Sequence, residues 1–259
     1  MIKEEKKQIP SNLFEGMTSI SALINSIKSQ KNDRKILKIL FDKDKLKSKR
    51  PEFGFLSANS KLLGYELELC DSECISEHTI GSSHGGIIAF CSDRIIQNLD
   101  YNNIKKDGIY YMLDGVEDPY NFGNAVRSLY AAGADGIIVG ARNWLGAAGV
   151  VARASAGASE LIDMYKVDEC IDAANIFKKI GYTVVCAGIR DSVDLFEIEL
   201  KSPLFVIIGG EKRGISRAVL DMADHIVRIG YGNSFKGSLS ASASAAVFGF
   251  EISRKMRNL

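Results

Sequence analysis

The spacing of apolar positions changes character along this chain. Between residues 14 and 27, Ile20, Leu23, Ile24 and Ile27 recur at the interval of one helical face and predict a helix. Short apolar runs at 36–41, 65–69 and 86–91 predict strands, with a brief helix at 58–63. Together they make a small α/β unit of about ninety residues. Residues 95–107 are polar and asparagine-rich between two apolar strands, the composition of a linker.

Beyond it the pattern becomes regular. Strands are predicted at 109–113, 136–139, 161–167, 183–187, 204–208 and 225–229. Helices are predicted at 123–132, 147–155 and 170–180, after Ser216, and at 239–255, with Gly133 placed to close the first of them. Strands alternating with helices, and uninterrupted apolar runs such as PLFVIIG, indicate a mainly parallel sheet covered on both faces. The expected organisation is an N-terminal domain at 1–97, a linker at 98–107 and a larger α/β domain at 108–259.

Composition narrows the class. A 259-residue chain with 46% hydrophobic and 25% charged residues is globular rather than disordered. Its net charge of +1 is uninformative, but residues 28–50 hold ten Lys or Arg against three Asp. That local excess suits a polyanion, or is simply a solvated lysine-rich face. Five irregularly spaced cysteines, two inside apolar runs (Cys91 and Cys186), point to a reducing compartment. Cys74, His78 and His84 lack a CxxC partner, so no metal site is expected. No apolar run is long enough for a membrane span, and MIKEEKKQIP has no signal-peptide core. A cytoplasmic protein is the expectation.

Three stretches carry candidate chemistry. The first, Asn121-x-Gly123-x-x-x-Arg127, follows a strand and a Pro-containing loop. Ala125, Leu129 and Ala132 share one helical face, and Arg127 lies about 200° round from Ala125, pointing away from it. It is either an ordinary solvated arginine or one aimed at a ligand or a second subunit. The second stretch, Gly209-Gly210-Glu211-Lys212-Arg213-Gly214-Ile215-Ser216, closes a buried strand and opens a helix. Its glycines allow a ligand to approach the backbone, yet it lacks the spacing of a phosphate loop, and Glu211 would repel phosphate. The third runs from Ile229 through Ser234, Gly237, Ser238 and Leu239 to Ser242, a glycine-rich loop entering the last helix.

These three stretches, with Ala154-Ser155-Ala156-Gly157-Ala158 between the first two, resemble in order the motifs of the SpoU-type (TrmH-like) RNA 2′-O-ribose methyltransferases of the SPOUT class. Ser82 to Ala89 and Phe14-Glu15-Gly16 resemble the ribosomal-protein-like RNA-binding domain often placed before them. His84 there either touches RNA or supports the glycine turn. The third motif departs twice: Gly230 stands where proline is usual and Ser240 where asparagine is usual, and its loop is about one residue longer.

The resemblance implies a trefoil-knotted α/β domain, an obligate homodimer with active sites at the subunit boundary, and methyl transfer from S-adenosylmethionine to a ribose hydroxyl of rRNA or, second, tRNA. It assigns catalysis to Asn121, Arg127, Glu211, Ser238 and Ser240. It assigns cofactor binding to Ala187, Gly188, Gly209, Glu211, Gly214, Ile229, Ser238 and Leu239. Two competing readings are an RNA-binding relative whose catalysis has decayed and an unrelated nucleotide-dependent α/β enzyme. A role in antibiotic resistance through rRNA modification also stays open.

Overall fold

A computed structural model describes residues 12–80, 82–140, 147–235 and 237–257. The chain forms two compact units, one built from 12–95 together with 147–161, the other from the rest.

The first unit opens with β1 (Leu13–Glu15), α1 (Met17–Lys28), β2 (Ile36–Asp42), α2 (Arg50–Leu63), β3 (Glu66–Cys70), α3 (Ser72–His78) and β4 (Ile87–Cys91). Its sheet has the order β1-β4-β2-β3, with only β2 and β3 parallel. Ile20, Leu23 and Ile24 of α1 are fully buried against Phe14, Ile39 and Phe41, as the helical spacing predicts. Phe14, which the periodicity places at the start of a helix, instead lies in β1. The left-handed Gly16 (φ 80°) separates it from α1. Helix α2 begins eight residues earlier than its apolar pattern, at Arg50, because Pro51 presets its first turn.

The second unit begins with β5 (Gln97–Asn98), inside the stretch of linker composition, then β6 (Ile109–Asp114), α4 (Pro119–Ala132) and β7 (Gly136–Gly140). Helix α4 starts before the expected Gly123 because the Asp118 carboxylate accepts the Asn121 N–H (2.8 Å) and Pro119 occupies the first turn. Gly133 closes it in the left-handed conformation (φ 97°). Helices α5 (Ala148–Ala154) and α6 (Ala158–Leu161) then belong to the first unit. There Arg153 meets Glu15 (2.6 Å), and Glu160 meets the buried Arg34 (3.0 Å).

The second unit resumes with β8 (Asp163–Val167), α7 (Cys170–Lys179), β9 (Thr183–Ala187), β10 (Val193–Asp194), β11 (Leu204–Gly209), α8 (Arg217–Met222), β12 (His225–Arg228) and α9 (Ala241–Arg257). Its eight strands run β10-β12-β9-β11-β6-β7-β8-β5, every pair parallel. The central strands are buried on both faces, which explains their unbroken apolar sequence. Tyr110, Met112, Phe205 and Ile207 face α7 and α8, where Phe177 stacks on Phe205 (4.1 Å, 10°). Helices α4 and α9 pack together, and Gly249 lets Leu129 and Ala132 close on α9.

Candidate active site

A cleft of about 780 Å³ opens beyond the carboxyl ends of β9, β11 and β12, where ligands bind in open parallel sheets. All eight residues expected to hold a cofactor line it: Ala187 and Gly188 at the end of β9, Gly209, Glu211 and Gly214 at and after the end of β11, and Ile229, Ser238 and Leu239 after β12. Parallel order brings these three loops, far apart in sequence, to one end of the sheet. Ile208, Leu220, Ile226 and Phe248 give the cleft apolar walls.

A smaller hollow of about 110 Å³ adjoins it, lined by Gly115, Asp118, Asn121, Gly210 and Glu211 among others. The first and second motifs therefore meet. The Gly210 N–H donates to the Asp114 carbonyl (2.6 Å). A Cβ on Gly210 would sit 2.3 Å from the Gly115 carbonyl oxygen, so this glycine serves the crossing of two loops rather than the approach of a ligand. Glu211 accepts the Ala241 N–H at 3.4 Å, tying the second motif to the first turn of α9.

Ser240 lines neither cavity among the described residues. Its hydroxyl accepts the Ala243 N–H (3.2 Å) and its carbonyl the Ser244 N–H (2.9 Å), so it caps α9, and the helix starts at Ala241 rather than Leu239. At Gly230, the space a Cβ would need is filled by the Asp194 carboxylate, 2.2 Å away. Arg127 stands apart. It is exposed, midway along α4, and lines neither cavity.

The cleft also holds groups that sequence reasoning missed: Arg190, Lys212, Arg213 and Arg228, and the aromatic residues Tyr231 and Phe235. Lys212 and Arg213 lie inside a quoted motif, but only the topology brings Arg190 and Arg228 alongside. Burial raises the Asp114 carboxyl above its ordinary value, and the Cys170 thiol opposes that by donating to it. The folded chain therefore holds this proton more tightly than the unfolded one. The charged carboxylate costs stability at neutral pH, and the cost vanishes below an unfolded value of about 3.9. Asp114→Asn is expected to raise Tm at pH 7 and to leave it unchanged near pH 3, as calorimetry at both pH values would show.

Elsewhere, His84 takes the supporting role: its Nδ1 accepts the Gly86 N–H (3.0 Å). Among the described residues, no group of three or more His, Cys, Asp and Glu is arranged to hold a metal ion.

Solved structures with this fold include an RNA 2′-O ribose methyltransferase (TM-score 0.76, 24% identity, 95% of this chain and 89% of that one). Another is the AdoMet-bound rRNA methyltransferase from Sinorhizobium meliloti (TM-score 0.74, 21% identity, 93% and 86%). The chain thus shares the α/β fold of these structures, with its mainly parallel sheet. The model of the SpoU rRNA Methylase family matches residues 108–250, more than half of the chain, and the chain belongs to that family.

Among similar proteins, a putative TrmH family tRNA/rRNA methyltransferase of Staphylococcus saprophyticus is 35% identical over 147 residues. The match takes in 56% of this chain and only 57% of that relative's length. The 23S rRNA (guanosine-2′-O-)-methyltransferase RlmB of Shewanella oneidensis is 28% identical over 207 residues, 78% of this chain and 84% of that one.

Proposed function

We propose that this protein transfers a methyl group from S-adenosylmethionine to a ribose 2′-hydroxyl of RNA, with rRNA the expected substrate. The observation that carries this reading is the convergence of the second and third motif loops on one cleft, with the first motif's Asn121 in the hollow beside it. The names of the Shewanella and Sinorhizobium relatives support it.

The donor set suits the cofactor. It offers backbone groups from three loops, apolar walls for an adenosine, and one carboxylate, Glu211, compatible with a cationic sulfonium. Ala187, Gly188, Gly209, Gly214, Ile229, Ser238 and Leu239 would hold it. When bound, it supplies an electrophilic methyl group.

The rest falls to the chain. A guanidinium stays protonated at neutral pH, so Arg127 acts by stabilising negative charge on the 2′-oxygen and gripping the neighbouring phosphate, while the hydroxyl proton leaves to phosphate or water. Asn121 and Glu211 fix the geometry of the motif-one and motif-two loops, Ser238 faces the cleft, and Ser240 positions α9 by capping it.

Because Arg127 lines neither cavity, the same reading gives the protein a homodimeric form in which this residue serves the partner's cleft. The exposed face of α4, with Tyr120, Asn124, Arg127 and Tyr130, and the exposed Phe250 of α9 are the surface for that contact. The knot is part of the proposal too: α9 returns to pack on α4 at the centre of the sheet, although β12 lies beyond β9.

The first unit, with an RNA-binding role, supplies cations at Lys45, Lys47 and Arg50, which are exposed. The basic stretch is less free than its count implies. Arg34 is buried on Glu160, Lys38 pairs with Glu66 and Glu68, and Lys43 pairs with Asp71. The cytoplasm is the proposed compartment, supported by five free cysteines; among the described residues no helix is long and apolar enough to cross a membrane.

Titration calorimetry with S-adenosylmethionine tests the reading and separates it from a decayed RNA-binding relative. Saturable heat of binding is expected; its absence would contradict the proposal.

A further inference from the structure

The loop between β12 and α9 places two aromatic rings at the cleft that cofactor binding and methyl transfer, as set out above, do not employ. Tyr231 and Phe235 both line it, with ring centroids 5.7 Å apart and tilted by 55°. Tyr231 is the tethered member, its hydroxyl accepting the Leu239 N–H (3.2 Å). Phe235 is the open one, 57% exposed. Its amide donates to the Asn233 carbonyl (2.9 Å), which tightens the turn. Its ring lies against Gly237, where a Cβ would meet ring carbons at 2.5–3.1 Å. The ring is thus seated on bare backbone and braced by Tyr231 while much of it stays in water.

Nothing in the packing of this unit requires an aromatic residue there. The turn is closed by backbone bonds, and Phe235 belongs to none of the buried core clusters. A large ring left in water forgoes burial, which makes sense if a ligand completes the contact. The surroundings define that ligand. Arg190 and Arg213 line the same cleft, beside Lys212, which pairs with Glu117, and Arg228, which pairs with Asp194. A π-face beside several cations is the combination that receives a nucleotide, base on the ring and phosphate on the charges.

We propose that Phe235, braced by Tyr231, stacks on a nucleobase of the RNA at the mouth of the cleft and so holds the RNA there. This rests on the methyltransferase reading and adds to it a residue that sets RNA affinity. The cofactor's adenine offers the same chemistry, but small-molecule pockets bury about 70–90% of their ligand. A ring more than half in water is better placed for a substrate arriving from outside.

The test compares the full-length wild type with Phe235→Ala, Phe235→Leu and Phe235→Trp. Methylation kinetics use ribosomal RNA from a strain lacking the gene, and S-adenosylmethionine affinity is measured by calorimetry. Stacking on one base is worth about tenfold in affinity. Phe235→Ala and Phe235→Leu should therefore raise KM for RNA about tenfold, leaving kcat and cofactor affinity near wild type, while Phe235→Trp keeps a low KM. An unchanged RNA KM in Phe235→Ala overturns the proposal. So does a loss confined to cofactor affinity, which would assign the ring to adenine, or a leucine variant as good as tryptophan, which would leave only apolar contact. A wild type that binds no S-adenosylmethionine fails earlier and differently: it removes the methyltransferase reading itself, and this proposal with it.

Discussion

Arg127→Lys is expected to lower the rate of methyl transfer by about 10²–10³-fold while leaving S-adenosylmethionine affinity unchanged. Loss of a single preorganised donor to a developing oxyanion costs about that much. Lysine keeps the charge but offers a compact point charge in place of a planar fork of five donors, so it cannot hold an alkoxide and a phosphate together. Cofactor affinity is spared because Arg127 lies outside the lining of the cleft. Its exposure on α4, on the face shared with Tyr120, Asn124 and Tyr130, adds a further expectation. If it serves a partner's cleft, mixing Arg127→Lys subunits with subunits altered at Glu211 restores part of the activity, since one of the two mixed sites has both residues intact. Near-normal turnover of Arg127→Lys, by steady-state kinetics, would remove this residue from the mechanism.

Arg34→Met should destabilise the first unit by about 3–5 kcal/mol, the usual cost of removing one partner from a buried ion pair. Arg34 and Glu160 each keep only 4% of their side-chain surface. Around them the hydrogen bonds are complete: Arg34 also donates to the Ser92 carbonyl (2.7 Å) and to Asn12 (3.2 Å), and Asn32 donates to the same Glu160 oxygen (2.6 Å). Arg34 lies over the Phe14 ring at 5.2 Å as well. Methionine fills much of the volume but strands a carboxylate, which is why the loss is large. Adding Glu160→Leu removes the stranded charge and should recover a substantial part of it. Urea denaturation of the wild type and the two variants checks this. A single substitution that leaves the midpoint unmoved would mean the pair contributes little to holding α5 and α6 in the first unit.

The sequence made the parallel sheet legible because its strands, buried on both faces, read as continuous apolar runs, and because glycine loops punctuate them. The cleft was legible for a related reason. Residues 187–188, 209–214 and 229–239 all lie at or just past the end of a strand, and parallel order puts the ends of such strands together. What escaped depends on contacts between distant segments. Nothing local announces that Glu160 neutralises Arg34, 126 residues away, or that 147–161 folds with the first unit. Ser240 reads as a departure from an asparagine motif, yet its local chemistry is that of a helix cap. Phe235 looks like one aromatic residue in a polar loop, and only its seat on Gly237 at the cleft distinguishes it.

The central claim is tested most directly by following tritium from methyl-labelled S-adenosylmethionine into ribosomal RNA of a strain lacking the gene, then digesting the RNA to nucleosides. The account predicts label in a 2′-O-methylated ribose. Label confined to a methylated base, or no transfer by a folded protein, would contradict it.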